Sequence, residues 1–506
     1  MNTISGPLFG QLDSFGAPMA SFKRLLLRAL LCVMVSASTS LVTAQITWRR
    51  AYGGFGIDEG HCIRQTVDGG YILAGSTGSF GGGSGDIYVL RLDATGEPIW
   101  SRTYGGVGVE SGVACREVFD GFILAGTTSQ GANGSYDMLL IRTDGQGEPL
   151  WERNYGTVDW DLCNAMEILP DGFLIGGVTY GEGNFNGAAY VVRTNADGDI
   201  LWTQTLGGSE RTECNGLVLA MDQGIVLVGS KGTSSGSTDG LLTKLDQAGD
   251  QEWSVLLGGD SADVLNSVVQ SVDGSFVACG ASRSQSDVSQ IYLVNVDGTG
   301  GFLWDQHIGN TADAGGSEIR RSNTGGYVLT GYNTLNLGDR DMILTTIETN
   351  GDFQFGDNYG IGHPADGKAI DPTADGGYVV AGWIEQVGLG IRAVYVVKTD
   401  SIGHVASPNV IDFFDPLPVP EVTKPSGVTI SPTLLSSGQE MHIITQSRGT
   451  GQVRITDMRG ATQVLLPIET GTRTSIRIPD LAPGPYLISV EQKGQAPVVA
   501  KFLVMQ

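Results

Sequence analysis

Charged residues are scarce: Asp, Glu, Lys and Arg make up 17% of the 506 residues. Coiled coils and helical bundles need long charged side chains on their exposed faces. That shortage, together with the lack of any 3.6-residue apolar stripe, excludes both. Basic residues are scarcer still. Thirty Lys and Arg face 54 Asp and Glu, for a net charge of −24, so no basic surface exists to hold a phosphate backbone and nucleic acid is excluded as a partner. Proline numbers only 18 against 76 glycines, which excludes a collagen triple helix. The six cysteines include no Cys-x-x-Cys pair, so neither a zinc ribbon nor a disulfide framework is expected. After the first 44 residues no run of 18 apolar residues occurs, so no membrane-spanning helix is expected in the mature chain.

Residues 1–44 read as a targeting signal. Lys23, Arg24 and Arg28 precede an apolar run over 29–35, and Val42-Thr43-Ala44 fits a small-residue cleavage site before Gln45. Met19 is the expected start codon of an ordinary leader of this kind. The mature chain is then two units more negative and keeps Cys62, Cys115, Cys163, Cys214 and Cys279. The first four lie close to one phase of the repeat described next and read as small buried thiols filling one slot.

Self-similarity dominates the rest. Trp48, Trp100, Trp151, Trp202, Trp253 and Trp304 follow one another at spacings of 52, 51, 51, 51 and 51; Phe355 and Val405 continue the series. Each unit reads Trp, Tyr-Gly-Gly, a strand, Asp-Gly-Gly, an apolar strand ending in Gly, a Gly/Ser loop, a third strand, and a polar turn back to Trp. In the first unit the strands are expected near 46–52, 61–66, 71–76 and 87–92. Four short strands per 50 residues describe one blade of a β-propeller. The expected fold is all-β: a seven-bladed β-propeller over 45–406, a Pro-rich linker over 407–425, and a small β-sandwich over 426–506. The last Trp-bearing copy, at 402–405, is degraded. The strand at 46–52 is therefore expected to complete the final blade and close the ring.

Antiparallel strand order sends alternate connections to opposite faces. The tight links 68–70 and 93–98 fall on one face. The longer loops 53–60 and 77–86 fall on the other, which is the expected binding face. There an acid recurs after each repeat marker: Asp58/Glu59, Glu110, Asp161, Glu213, Asp263, Asp313 and Asp366. Such a ring can bind Ca²⁺ or a cationic ligand, or each acid can accept backbone N–H groups of its own loop; the second reading suits an acid that appears in every unit. Asp86, Asp137, Asp239 and Asp341, before the last strand of their units, read as structural for the same reason. No cofactor and no metal centre are expected, since no Asp-x-Asp-x-Asp-Gly loop and no His-Glu-x-x-His spacing occur.

Two tryptophans break the repeat. Trp160 stands between Asp159 and Asp161, and Trp383 replaces a small residue after Gly382. Both suit stacking on a sugar ring or anchoring a protein partner, and both suit packing between blades. His363 beside Asp366 is the one acid–base pairing within reach of the binding face. The candidate binding residues are thus Trp160, Trp383, Asp161, His363 and Asp366, with no catalytic residue assigned. Gly232-Thr233-Ser234-Ser235-Gly236 matches Gly-x-Ser-x-Gly but lies in a polar loop rather than a strand-to-helix elbow, so it reads as coincidence.

The tail carries a resemblance. Gln452-Val453-Arg454-Ile455-Thr456-Asp457-Met458-Arg459-Gly460, then Leu481-Ala482-Pro483-Gly484-Pro485-Tyr486, then Lys501-Phe502-Leu503-Val504 resemble the C-terminal sorting domain read by the type IX secretion system. Ile430-Ser431-Pro432-Thr433 stands where that family usually has Pro-Asn-Pro. The repeats are similar to the Gly-rich propeller repeats of secreted bacterial proteins. The resemblance implies export across two membranes, with the secretion machinery as partner of 426–506, to the outside or the outer cell surface. The expected function is a secreted or cell-surface binding or adhesion scaffold with a glycan or protein ligand. A polysaccharide-active hydrolase or lyase using long-loop carboxylates and a purely structural surface protein are the alternatives.

Overall fold

The computed structural model describes residues 45–207, 210–309, 311–334, 339–385 and 391–406, then a set of strands between 412 and 505. Residues 1–44, expected from sequence to be a leader starting at Met19, and motif residues 458–461, 478–480 and 482–483 lie outside the described residues.

The first repeat folds as β2 (Asp58–Gln65), β3 (Tyr71–Thr77), β4 (Asp86–Leu92) and β5 (Pro98–Tyr104), hydrogen-bonded in that order as an antiparallel sheet. Five further four-stranded sheets repeat the pattern over 110–155, 161–206, 212–257, 263–308 and 314–358. A seventh is built from three strands over 365–399 and from β1 (Trp48–Tyr52), which pairs antiparallel with Arg392–Thr399. The chain thus carries its first described strand into its last repeat. The innermost strands touch their neighbours in a closed cycle, the first sheet packing on the seventh. The fold is a β-propeller.

Chemistry explains why the marker is Trp-x-x-x-Tyr. On an outermost strand both side chains share a face and reach the turn between the last two strands of the next sheet. Tyr52, Tyr104, Tyr155 and Tyr359 each donate to the carbonyl of a turn glycine, Gly96, Gly147, Gly198 and Gly403, at 2.7 Å. Indole Nε1 of Trp48 and Trp100 donates at 3.2 Å to Ala94 and Gly145 of the same turns. Each of those glycines has φ near +80°, a conformation that a side chain resists. A methyl group on Gly147 would also meet the Trp100 ring at 3.0 Å. The same ring-on-glycine contact recurs at all seven junctions, with Phe355 on Gly403 closing the set.

Several details differ from the sequence reading. The inner strands begin at the acid, Asp58 in the first sheet, rather than after it, because each carries a bulge (between Gly60 and Cys62 in the first) that absorbs an extra residue. That bulge also undoes the single-slot reading of the cysteines. Cys163 and Cys214 stand just before it, Cys62 just after it, and Cys115 one residue further on. Only two share a position, although all five are buried. Burial pushes the Cys163, Cys214 and Cys279 thiols up, Cys214 to about 12, so they are inert packing groups.

The linker is not a bare spacer. Asp412–Phe414 pairs in parallel with Arg50–Tyr52, and Glu421–Val422 pairs in parallel with Thr103 and Tyr104. The segment thereby covers the open edges of the seventh and first sheets. The tail forms two further sheets. One orders Val428–Ser431, Glu440–Thr445 and Arg473–Arg477; the other joins Leu434–Ser436, Val498–Met505, Gly484–Gln492, Gly449–Asp457 and Thr462–Thr470. Ile443 and Ile476 from the first share one apolar cluster with Val453, Ile455, Ile468 and Ile488 from the second.

Candidate functional site

The long-loop face is set by the connections 53–57 and 78–85 and their counterparts. Its recurring acids divide among three positions. Asp58, Glu110, Asp161 and Asp263 are the first residues of inner strands, fully or almost fully buried, and each holds its own loop. Asp58 Oδ2 accepts from Gly54 N at 2.8 Å, Glu110 Oε2 from Gly106 N at 3.1 Å, Asp161 Oδ2 from Thr157 N at 2.6 Å and Asp263 Oδ2 from Gly259 N at 2.8 Å. Thr212, Ala314 and Ala365 occupy this position in the other three sheets. Glu59, Glu213 and Asp366 stand one residue later, and Asp313 one residue earlier. The acids therefore do not form a single ring.

Asp161 is thus a buried loop anchor rather than a surface contact. Trp383 is also buried, at 6% exposure, with the Arg392 guanidinium 3.9 Å above its ring. It packs within the structure and offers no open stacking face. Asp366 is fully buried and engaged by Lys368 at 3.0 Å and Arg340 at 3.3 Å. No hydrogen bond joins it to the half-buried His363 among the described residues, so the acid–base pairing does not form.

Instead Asp366 and Trp383, neighbours across two strands, lie in a chain of charge contacts spanning the sixth, seventh and first sheets. Arg340 lies 3.3 Å above the Tyr332 ring. Arg392 pairs with Glu59 and, at 2.7 Å, with Glu385. Glu59 also meets His61 at 3.3 Å, and His61 Nδ1 contacts the Gly112 carbonyl at 2.8 Å. Burial pushes the Glu59 carboxyl up, but His61 and Arg392 outweigh it and hold the group down at about 2. The Arg392–Glu59 ion pair ties the last repeat to the first.

Trp160 has a different setting. It is 52% exposed, with Tyr136 edge-on at 5.2 Å and Tyr180 edge-on at 6.4 Å. Three aromatic rings thus meet at the junction of the second and third sheets. Ile57 and Val109 occupy the same loop position in the two preceding repeats, and Phe55, Val107 and Val158 stand two residues before each. All are exposed. In later repeats the Trp160 position holds Arg211, Ala262, Asp313 and Pro364. The matched loop positions therefore carry an apolar arc across three successive junctions and a mixed set of Arg, Ala, Asp and Pro in the rest. The opposite face also exposes apolar tips (Val67, Phe119, Met221 and Val272), but as single residues on separate tight turns. Sequence reading found Trp160 and missed its arc, because the matching loop positions emerge only when counted back from the buried acid.

No family model matches the chain. It is 25% identical over 142 residues to "Regulatory protein FlaEY" of Caulobacter vibrioides, a stretch that is 25% of this chain and only 14% of that protein. Among solved structures it is similar to Sqt1 from Chaetomium thermophilum, at 11% identity and a TM-score of 0.42, over 69% of this chain and 98% of that one. It is similar to the WD40 domain of Neurospora crassa Pan2 at 11% identity and a TM-score of 0.42, over 70% and 91%. A protein of unknown function from Dyadobacter fermentans gives 13% identity and 0.40 over 69% and 97%. The fold itself is read from the chain's own strand order: an all-β repeat protein built as a β-propeller.

Proposed function

We propose that the chain is an exported binding scaffold. A seven-bladed propeller over 45–406 presents the arc around Trp160 to a glycan or protein ligand, and 426–506 forms a small β-sandwich that serves as a type IX sorting domain. One observation carries the binding reading: exposed apolar and aromatic side chains persist at matched loop positions of three junctions, where the repeat itself accepts Arg, Asp or Pro. Water-exposed apolar surface of this kind marks a contact site on a soluble protein. An aromatic trio with accessible faces suits stacking on the C–H face of a sugar. The hydrolase reading is not preferred, because Asp58, Glu110, Asp161 and Asp263 each hold their own loop, Glu59 and Asp366 sit in ion pairs, and Asp137 is fully buried.

Screening the mature chain, 45–506, on a glycan array tests the proposal. A bound glycan whose affinity falls at least about tenfold in Trp160→Ala supports it, the range expected for losing a central aromatic anchor. No bound glycan, together with no protein captured in a Trp160-dependent way from the cell surface, supports the structural reading instead. Export is tested separately in a host with type IX machinery. Removing 426–506 from the full chain should leave the protein in the periplasm, and continued surface delivery would reject the sorting role.

A further inference from the structure

The junctions between sheets contain a second feature that the binding reading does not use. Near its start, the third strand of one sheet lies beside the start of the next sheet's inner strand. Parallel bridges fix this register: Tyr136 pairs with Trp160 one residue before Asp137 and Asp161, and Asp161 N donates to Tyr136 O at 2.8 Å. The two side chains converge on a loop glycine. A methyl group on Gly156 would sit 2.6 Å from Asp161 Oδ2 and 2.9 Å from Asp137 Oδ1.

Acids occupy these paired positions together or not at all in five of seven junctions. Asp86 faces Glu110, Asp137 faces Asp161, and Asp239 faces Asp263; Ala188 faces Thr212, and Gln290 faces Ala314. Asp341 opposite Ala365 and Asp58 opposite Ala393 are the mixed cases. Where Asp58 stands alone, both its oxygens accept hydrogen bonds, Oδ1 from Thr77 and Oδ2 from Gly54 and Ser79. The pairs Asp137/Asp161 and Asp239/Asp263 differ. Asp137 Oδ2 accepts from Asn133 N at 2.9 Å and Asp161 Oδ2 from Thr157, while Oδ1 of both is buried and accepts no hydrogen bond from the described residues. Asp137 and Asp161 are both fully buried. Asp263 repeats the division, Oδ2 on Gly259 and Ser284 and Oδ1 left over, and Asp239 Oδ1 is left over as well.

Two carboxylates that face each other without a donor between them repel, and burial raises the cost. A bound cation reverses both effects. We propose that the Asp137/Asp161 junction binds a hard, oxygen-liganded divalent cation, calcium by chemistry, in the space that Gly156 leaves open. Carboxylate oxygens from two sheets supply the charge and loop carbonyls complete the shell. The ion then acts as an interblade rivet, distinct from any ligand of the Trp160 arc.

Terbium luminescence tests the first junction directly, because Trp160 and Tyr136 adjoin its two acids and can sensitise the ion. The chelator-treated mature chain should show Trp-excited terbium emission that excess calcium abolishes. Its melting midpoint should rise by at least about 4 °C in millimolar calcium. The isosteric pair Asp137→Asn with Asp161→Asn should lose that emission and one equivalent of calcium by calorimetry. The same changes at Asp239 and Asp263 should keep the emission. Asp297→Asn, in an exposed turn, should change neither. Wild-type protein that binds no calcium and emits no terbium signal overturns the proposal. So does a folded Asp137/Asp161 variant with unchanged stoichiometry. A chain that instead gains stability only as the pH is lowered, with no calcium response, holds a shared proton at the pair and also overturns it.

Discussion

At the outer rim every repeat makes the same contact: an aromatic ring on a turn glycine of the next sheet, seven times around. The long-loop mouth has no contact that recurs at every junction. The first three carry exposed apolar residues, the junctions of the sixth, seventh and first sheets hold interlocked charges, and acid pairs come and go between them. A contact needed to stack one sheet on the next must recur at every junction, since a single weak one opens the ring. A contact that recurs only in part is an addition to that shared stacking. Regularity thus marks the scaffold and its local failure marks the site.

The largest expected effect comes from breaking the rim where it closes. Deleting 46–52 removes β1, exposes the edge of Arg392–Thr399, and strips Tyr52 and Trp48 from the first sheet's turn. The melting midpoint should drop by at least about 10 °C, and calorimetric cooperativity should fall with it. A deletion variant that melts like the parent chain would show that the closure does not hold the ring. Next in size is Gly147→Ala. The residue has φ +80° and the new methyl would press on Trp100, so a loss of about 1–3 kcal/mol is expected in urea titration. Tyr104→Phe, which leaves the Gly147 carbonyl without its 2.7 Å partner, should cost about 1 kcal/mol. Equal losses from Gly147→Ala and from Val107→Ser, in the exposed arc, would erase the distinction between rim and mouth.

The rim was legible in the sequence because it is periodic. Trp48 to Trp304 sets the repeat, the Asp-Gly turns bound the strands, and the degraded copy at 402–405 calls for a strand from the other end. The mouth was legible only in part. Trp160 stands out as a residue the repeat does not require, and it is exposed. Trp383 stands out by the same test but is buried under Arg392, since a departure from a repeat is filled as readily from inside as from solvent. The acids misled in register: one residue separates Asp58, a loop anchor, from Glu59, an ion-pair member, and strand alternation sends them to different surroundings. Phe413-Phe414 read as an unpaired linker because pairing in parallel with β1 depends on a strand more than 350 residues away in sequence, which no local pattern records.

The smallest expected effect concerns pH, and it separates two kinds of junction by sign. Glu59 is held below its ordinary value, at about 2, by His61 and Arg392 against burial. Its contribution is complete above the unfolded value near 4.5 and is lost as the pH falls toward 2. Asp137 and Asp239 are raised by burial and then by their facing acids. Without a cation, the folded chain takes up protons at these groups before the unfolded chain does. Acidification from neutrality therefore stabilises those two junctions until the unfolded carboxyls also protonate. In chelator the melting midpoint should carry a rising component between pH 7 and about 5 and a falling one below about 4. Asp137→Asn with Asp239→Asn should flatten the rise and leave the acid limb in place. Glu59→Gln should do the reverse, shallowing the acid limb alone. A single variant that removed both limbs would mean that the charge-locked junction and the acid-pair junctions titrate as one unit, and the division of the mouth into separate sites would then be wrong.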